Sequence, residues 1–198
     1  MDRSWRRPFE LAWDSLQAGS YPVGAVLLDA AGEVVVEGRN RAAEESAPAG
    51  HLFGTTIAHA EVDVLGQLRA GDYSDWTLHT TLQPCLFCLS ASRLAGIGRI
   101  VFAGADPLWD ATAGVPGLLP DLLSSRWPVS TGPADGMDGV WGSLLPAIWL
   151  VRYKPEVVAE PSDLIPWPMV KLARICVDAG ILESASAAEA YRLAGSIG

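Results

Sequence analysis

A chain of 198 residues, 49% apolar and 19% charged, is long enough for one domain with a substantial core and too apolar to be disordered. Its 23 acidic residues outnumber its 14 basic ones for a net charge of −9, which favours small substrates over a surface built to grip a phosphate backbone. No apolar run reaches the roughly 20 residues of a membrane-spanning helix.

The N-terminus is basic, Met1-Asp2-Arg3-Ser4-Trp5-Arg6-Arg7-Pro8, with no apolar stretch behind it. A signal peptide is therefore not expected and a cytoplasmic location is the default. Residues 4–18 read as an amphipathic helix, with Trp5, Phe9, Ala12, Trp13 and Leu16 at helical spacing, although Pro8 could mark a later start. Two short apolar runs, 23–28 and 33–39, flank the turn Asp29-Ala30-Ala31-Gly32 and read as a hairpin.

Residues 40–56 are polar, carry Pro48 and two glycines, and read as a long loop of the kind that shapes sites. A helix is expected from 56 or 59 to about 69, a strand over 76–82, a helix over 85–95 stopped by Gly96, and a strand over 99–103. Alternation of this kind implies an α/β sheet with helices on both faces. Residues 104–142 look loop-rich, with five prolines. Residues 144–153 suit a last strand or a short helix, a connector covers 155–168, and helices follow over 169–179 and from Ser186, where Ser186 and Glu189 have capping-box spacing.

Within this frame, His59-Ala60-Glu61 and Pro84-Cys85-Leu86-Phe87-Cys88 carry the chemistry. One histidine and two cysteines can hold Zn²⁺ through three bonds and leave the fourth tetrahedral position to water, the open arrangement of catalytic zinc. Cys85 and Cys88, three apart at a helix start, put both sulfurs on one side, where the helix N-terminus favours thiolates. His59 and Glu61 would diverge by roughly 200° inside a regular helix, so they belong at a helix entry. Glu61 is then the candidate proton carrier. A lone C-x-x-C could instead be a redox pair or half of a structural zinc site. A structural site needs a fourth ligand, and the other histidines are His51, expected to be solvated in the long loop, and His79, expected within a strand. Cys176 reads as a buried core residue. The combined pattern, H-x-E then P-C-x-x-C, is that of zinc deaminases.

On these residues, and on Tyr21-Pro22-Val23-Gly24-Ala25-Val26, Glu37-Gly38-Arg39-Asn40-Arg41, Thr81-Leu82-Gln83 and Gly98-Arg99-Ile100-Val101-Phe102, the chain resembles the cytidine deaminase-like superfamily. It looks closest to the branch of guanine deaminase and bacterial tRNA adenosine deaminase, over about residues 5–114. The resemblance implies a three-layer α/β/α fold around a five-stranded mixed sheet, and a homodimer. It implies Zn²⁺ on His59, Cys85 and Cys88, Glu61 as the catalytic proton shuttle, and substrate contacts from Asn40, Val23 and Ala60. Trp109, with Asp106 and Trp127, is a candidate to cap a base, and equally a candidate for packing. Gln83 stands where relatives often have glutamate, and Gly54-Thr55-Thr56-Ile57 replaces their Asp-Pro-Thr. The expected organisation is a deaminase domain over 1–154 and a helical extension over 155–198 packed on it. The expected activity is hydrolytic deamination of a small nucleobase or nucleoside. Nucleic acid is an unlikely partner, and a tRNA adenosine deaminase or a non-catalytic zinc-bearing interaction protein are the alternatives.

Overall fold

The computed structural model describes residues 1–197. Helix α1 (Arg3–Gln17) starts at Asp2, whose carboxylate accepts the Ser4 N–H at 2.9 Å, so Pro8 lies inside the helix and not at its start. The hairpin forms as expected from β1 (Gly24–Leu28) and β2 (Val34–Arg39). Strand β3 (Tyr73–Leu82) joins β1 antiparallel, with Ala25 opposite Thr80. Strand β4 (Ile97–Gly104) lies parallel to β3, and β5 (Val129–Thr131) parallel to β4. The five strands form one mixed sheet in the order β2-β1-β3-β4-β5.

Helices cover both faces because the strands alternate two sets of apolar side chains. Ala25, Leu27, Leu78, Leu82 and Ile100 pack beneath α2 (Ala60–Gly66) and α3 (Leu86–Ala95). Val101 and Ala103 turn the other way, toward α1, α5 (Gly136–Tyr153), α6 (Trp167–Asp178) and α7 (Ala187–Ile197). In that second cluster Phe9, Trp141, Leu144, Leu145 and Ile148 are completely buried. Each such aliphatic side chain contributes about 1.5–3 kcal/mol on leaving water. Helix α5 reaches the sheet through Gly142, which meets Gly104 at the end of β4; a Cβ on either would overlap the other's backbone.

The C-terminal part of the sheet departs from the sequence expectation. Residues 144–153 take the helical alternative and not the strand, as the second half of the 18-residue α5, which is longer than expected and has Pro146 inside it. The fifth strand is Val129–Thr131, in a stretch that reads as loop. All three of its residues are exposed, so no alternation marks it. The same stretch holds a 3₁₀ segment (Pro107–Leu118) and the one-turn helix α4 (Asp121–Ser124). Helix α2 ends at Gly66, short of the expected end near 69. The Ser186 cap forms, its hydroxyl accepting the Glu189 N–H at 3.2 Å while the Glu189 carboxylate accepts the Ala185 N–H at 2.7 Å.

Candidate metal centre

His59 and Cys85 are the residues immediately before α2 and α3, each with extended backbone (φ −72°, ψ 151° and φ −67°, ψ 167°). That geometry resolves the spacing problem of His59 and Glu61: one precedes the helical repeat and the other lies in its first turn. Pro84 turns the chain from β3 into α3. The entry to α2 is seated tightly, because Gly38 of β2 packs so close that a Cβ there would stand 2.7 Å from the Ala60 carbonyl.

The three donor atoms converge. Cys85 Sγ lies 3.5 Å from Cys88 Sγ and 3.7 Å from His59 Nδ1, and Cys88 Sγ lies 3.4 Å from His59 Nδ1. Zinc bonds of about 2.3 Å to sulfur and 2.0–2.1 Å to nitrogen, set tetrahedrally, give ligand–ligand edges of roughly 3.4–3.8 Å. The trio fits a zinc ion through Nδ1 of the histidine, and it is the one cluster of three or more possible ligands found among the described residues.

The protonation pattern follows from the same contacts. The sulfur–sulfur contact with Cys88 and, after it, the contact with His59 lower the Cys85 pKa to about 4. Cys88, in the same contact and almost completely buried, is pushed up. The His59 imidazole is raised, chiefly by its contact with Cys85. Glu61 is 3% exposed, and burial raises its carboxyl against the opposing hydrogen bond from Thr80. Thr80 Oγ1 donates to Glu61 Oε1 at 2.8 Å, and Glu61 Oε2 stands 3.4 Å from Cys88 Sγ.

Beside this cluster is a cavity of about 70 Å³ that His59, Glu61 and Cys85 also line. Val23, Asn40, Ala60 and Trp109 all reach it, as does Asp106. Trp127 does not; it lines a neighbouring cavity with Leu89 and Phe102. The Asn40 Oδ1 accepts the Ala42 N–H at 3.0 Å, which leaves its NH₂ group to donate. Gln83 keeps the loop after β4 in place, its Oε1 accepting the Asp106 N–H at 3.1 Å.

Several residues here escape sequence reasoning. Tyr21 and Leu82 line the cavity, and Thr80 holds Glu61; Thr80 reads only as a strand position, and Tyr21 and Leu82 stand in the quoted motifs without a role of their own. His51 is not solvated in its loop as expected. Its Nδ1 lies 3.0 Å from Asp63 Oδ2, within a buried cluster that includes Arg41. Long-range pairing of this kind leaves no local pattern.

Residues 3–104 match the family model described as the cytidine and deoxycytidylate deaminase zinc-binding region. A tRNA(Ile)-lysidine synthase from Deinococcus radiodurans is 40% identical over 121 residues, 59% of this chain and 19% of that protein. A cytosine deaminase from Candida albicans is 30% identical over 90 residues, 44% of this chain and 55% of that one. The chain thus spans about half or less of the length of these curated relatives. Among solved structures, one from a study of A-to-I editing by tRNA deaminases at the wobble position of transfer RNA superposes with a TM-score of 0.50 at 26% identity, covering 62% of this chain and 91% of that one.

Proposed function

The chain belongs to the cytidine and deoxycytidylate deaminase family and its cofactor is Zn²⁺; from that premise we propose that it hydrolyses the exocyclic amine of a small nucleobase or nucleoside and releases ammonia. The observation that carries the reading is the buried Glu61 carboxylate, set against the His59–Cys85–Cys88 cluster inside a small cavity. A merely structural zinc site has no use for a proton carrier at that position.

His59, Cys85 and Cys88 would hold the zinc, which supplies Lewis-acid activation of the attacking water when bound. Thr80 fixes Glu61 Oε1, and Oε2, which faces Cys88, is the atom that would move a proton. Glu61 Oε2 takes the proton from the water, passes it to a ring nitrogen, and delivers the next one to the departing amine. A C–O bond forms at the amine-bearing carbon and the C–N bond breaks, leaving a ring carbonyl and ammonia. The Asn40 NH₂ donates to an acceptor on the ring edge, Ala60 and Val23 pack against its faces, and Trp109 covers it.

The substrate class rests on charge. Among the described residues, those lining the cavity include no lysine or arginine, and Glu61 and Asp106 make it acidic. A phosphorylated ligand finds no partner there, which supports a neutral base or nucleoside. The tRNA reading draws on the names of the relatives; salt-dependent RNA binding by this chain would favour it. We take residues 1–154 as the deaminase unit and 155–198 as an extension packed on it. We also take the protein to be a homodimer, supported by exposed Phe87, Leu94, Leu118 and Leu122 on α3 and the segment beside it. In the sequence a cytoplasmic location is the default, and no described helix is long and apolar enough to cross a membrane.

Ammonia release across free bases, nucleosides, nucleotides and a tRNA anticodon stem tests the proposal. Turnover confined to the tRNA stem overturns the small-substrate reading, and no turnover of any member or of ring-substituted bases overturns the deaminase itself.

A further inference from the structure

A second cavity adjoins the candidate site and differs from it in chemistry. It measures about 200 Å³, against about 70 Å³ for the first, and the two share Tyr21, Leu82 and Asp106 as a common border. One wall is a single stripe of α5, where Ser143, Pro146 and Leu150 recur at three- and four-residue steps. Leu164, Ile165, Pro166 and Met169, from the connector into α6, also line it, as do Pro107 and Leu108. The α5 stripe and the connector lie outside the residues that match the family model.

The polar groups of this chamber sit in one place. The Ser143 hydroxyl is spent on the Ala105 carbonyl at 3.0 Å. The Asp106 carboxylate, which accepts the Leu108 N–H at 3.2 Å, and the Tyr21 ring stand at the border with the catalytic cavity. Beyond them the lining is aliphatic side chains and proline rings. Leu108 and Pro166 are exposed, so this chamber opens to solvent on one side; an enclosed cavity of about 150 Å³ with comparable lining binds benzene. A chamber of about 200 Å³ is large enough for a six-membered ring or a branched aliphatic group.

We propose that the substrate is an amino-substituted heterocycle carrying a compact apolar substituent, with the heterocycle beside Glu61 and Asn40 and the substituent in the chamber walled by Pro146, Leu150, Ile165 and Met169. This rests on the deaminase reading and narrows it. The heterocycle presents its polar edge to the acidic cavity, and the substituent crosses the Tyr21–Asp106 border into a space that no base alone would fill. Filling an apolar pocket discriminates by about 10- to 200-fold per methylene-sized change, so the substituent is a strong determinant of choice.

Two measurements on the zinc-loaded protein test this. The first follows the methyl NMR signals of Ile165 and Met169 during titration with toluene, with Ala25 on the far face of the sheet as reference. The second compares kcat/KM for cytosine and guanine with that for their benzyl-substituted counterparts at each ring position, in the wild type and in Met169→Trp and Leu150→Phe. The expected result is saturable shifts at Ile165 and Met169, at least a tenfold kcat/KM preference for one benzyl-substituted base, and a ratio that falls toward one in a variant that fills the chamber. Absence of methyl shifts, or shifts without any preference for the substituted bases, overturns the proposal. If no base of either kind releases ammonia, the deaminase reading fails instead. Displacement of toluene by the benzyl-substituted bases then decides the chamber alone: displacement supports the proposal and its absence overturns it.

Discussion

Asp63 Oδ2 lies 2.6 Å from Arg41 Nη1, with the aspartate completely buried and the arginine side chain 8% exposed. The same carboxylate accepts the Arg39 N–H at 3.3 Å and the Leu52 N–H at 2.8 Å, and meets His51 Nδ1 at 3.0 Å. Asp63 lies one turn into α2 after His59, so one side chain ties the long loop between β2 and α2 to the helix that presents His59 and Glu61. Removing one partner of a buried pair leaves the other charge uncompensated, at about 3–5 kcal/mol. Asp63→Ala should lower stability by that amount in urea unfolding. Replacing both partners, as Arg41→Met with Asp63→Leu, should recover much of the loss. A double variant no more stable than Asp63→Ala would show that the carboxylate's bonds to the loop backbone matter more than the ion pair.

Glu61→Gln keeps the shape of the side chain and its contact with Thr80 but cannot take a proton. It should bind one zinc per chain and lose about 10²- to 10⁴-fold in kcat on the best substrate of the panel. Metal content by mass spectrometry beside steady-state rates separates the two effects. An unchanged kcat would remove Glu61 from the proton path.

Cys88 is 1% exposed and within 3.5 Å of both other donors. Cys88→Ala should abolish stoichiometric zinc. Because zinc binds the folded state, chelation of the wild type should lower its thermal midpoint. Free zinc at a hundred times its dissociation constant is worth about 2.7 kcal/mol. Calorimetry with and without chelator reads this directly, and a midpoint indifferent to chelator would argue against a metal bound at this cluster.

His79 packs against Trp5, with ring centroids 5.2 Å apart, and its Nδ1 is buried with no hydrogen-bond partner among the described residues. Burial pushes its pKa below the usual 6.5. The unfolded chain therefore binds this proton more readily than the folded one. The stability this site supplies is full above pH 6.5 and is lost as pH falls below that value toward the folded pKa. Thermal midpoints measured from pH 7.5 to 5 should fall in the wild type and fall less in His79→Leu. Equal slopes would place the acid sensitivity elsewhere.

Much of the fold is legible locally. Apolar positions at helical spacing place α1, and short valine- and leucine-rich runs place β1 to β4. The metal centre is legible too, because H-x-E and P-C-x-x-C each sit within a few residues at one helix entry, where local backbone geometry alone aims the side chains. The exposed three-residue β5 is not legible, since it buries nothing and alternates nothing. Helix α5 is obscured by Pro146, which argues against a helix locally but is tolerated where Trp141, Leu144, Leu145 and Ile148 are all buried.

By itself, then, the sequence determined the His59, Cys85 and Cys88 donor set and its spacing, the glutamate beside it and the α/β alternation, because each depends on neighbours along the chain. Only the tertiary structure decided what surrounds them: Thr80 under Glu61, Asp63 holding the loop, His51 drawn inward, and α5 with residues 164–169 lining an apolar chamber behind Tyr21 and Asp106. Those relationships join residues 10 to more than 100 positions apart, and burial and charge pairing across such distances leave no periodicity to read.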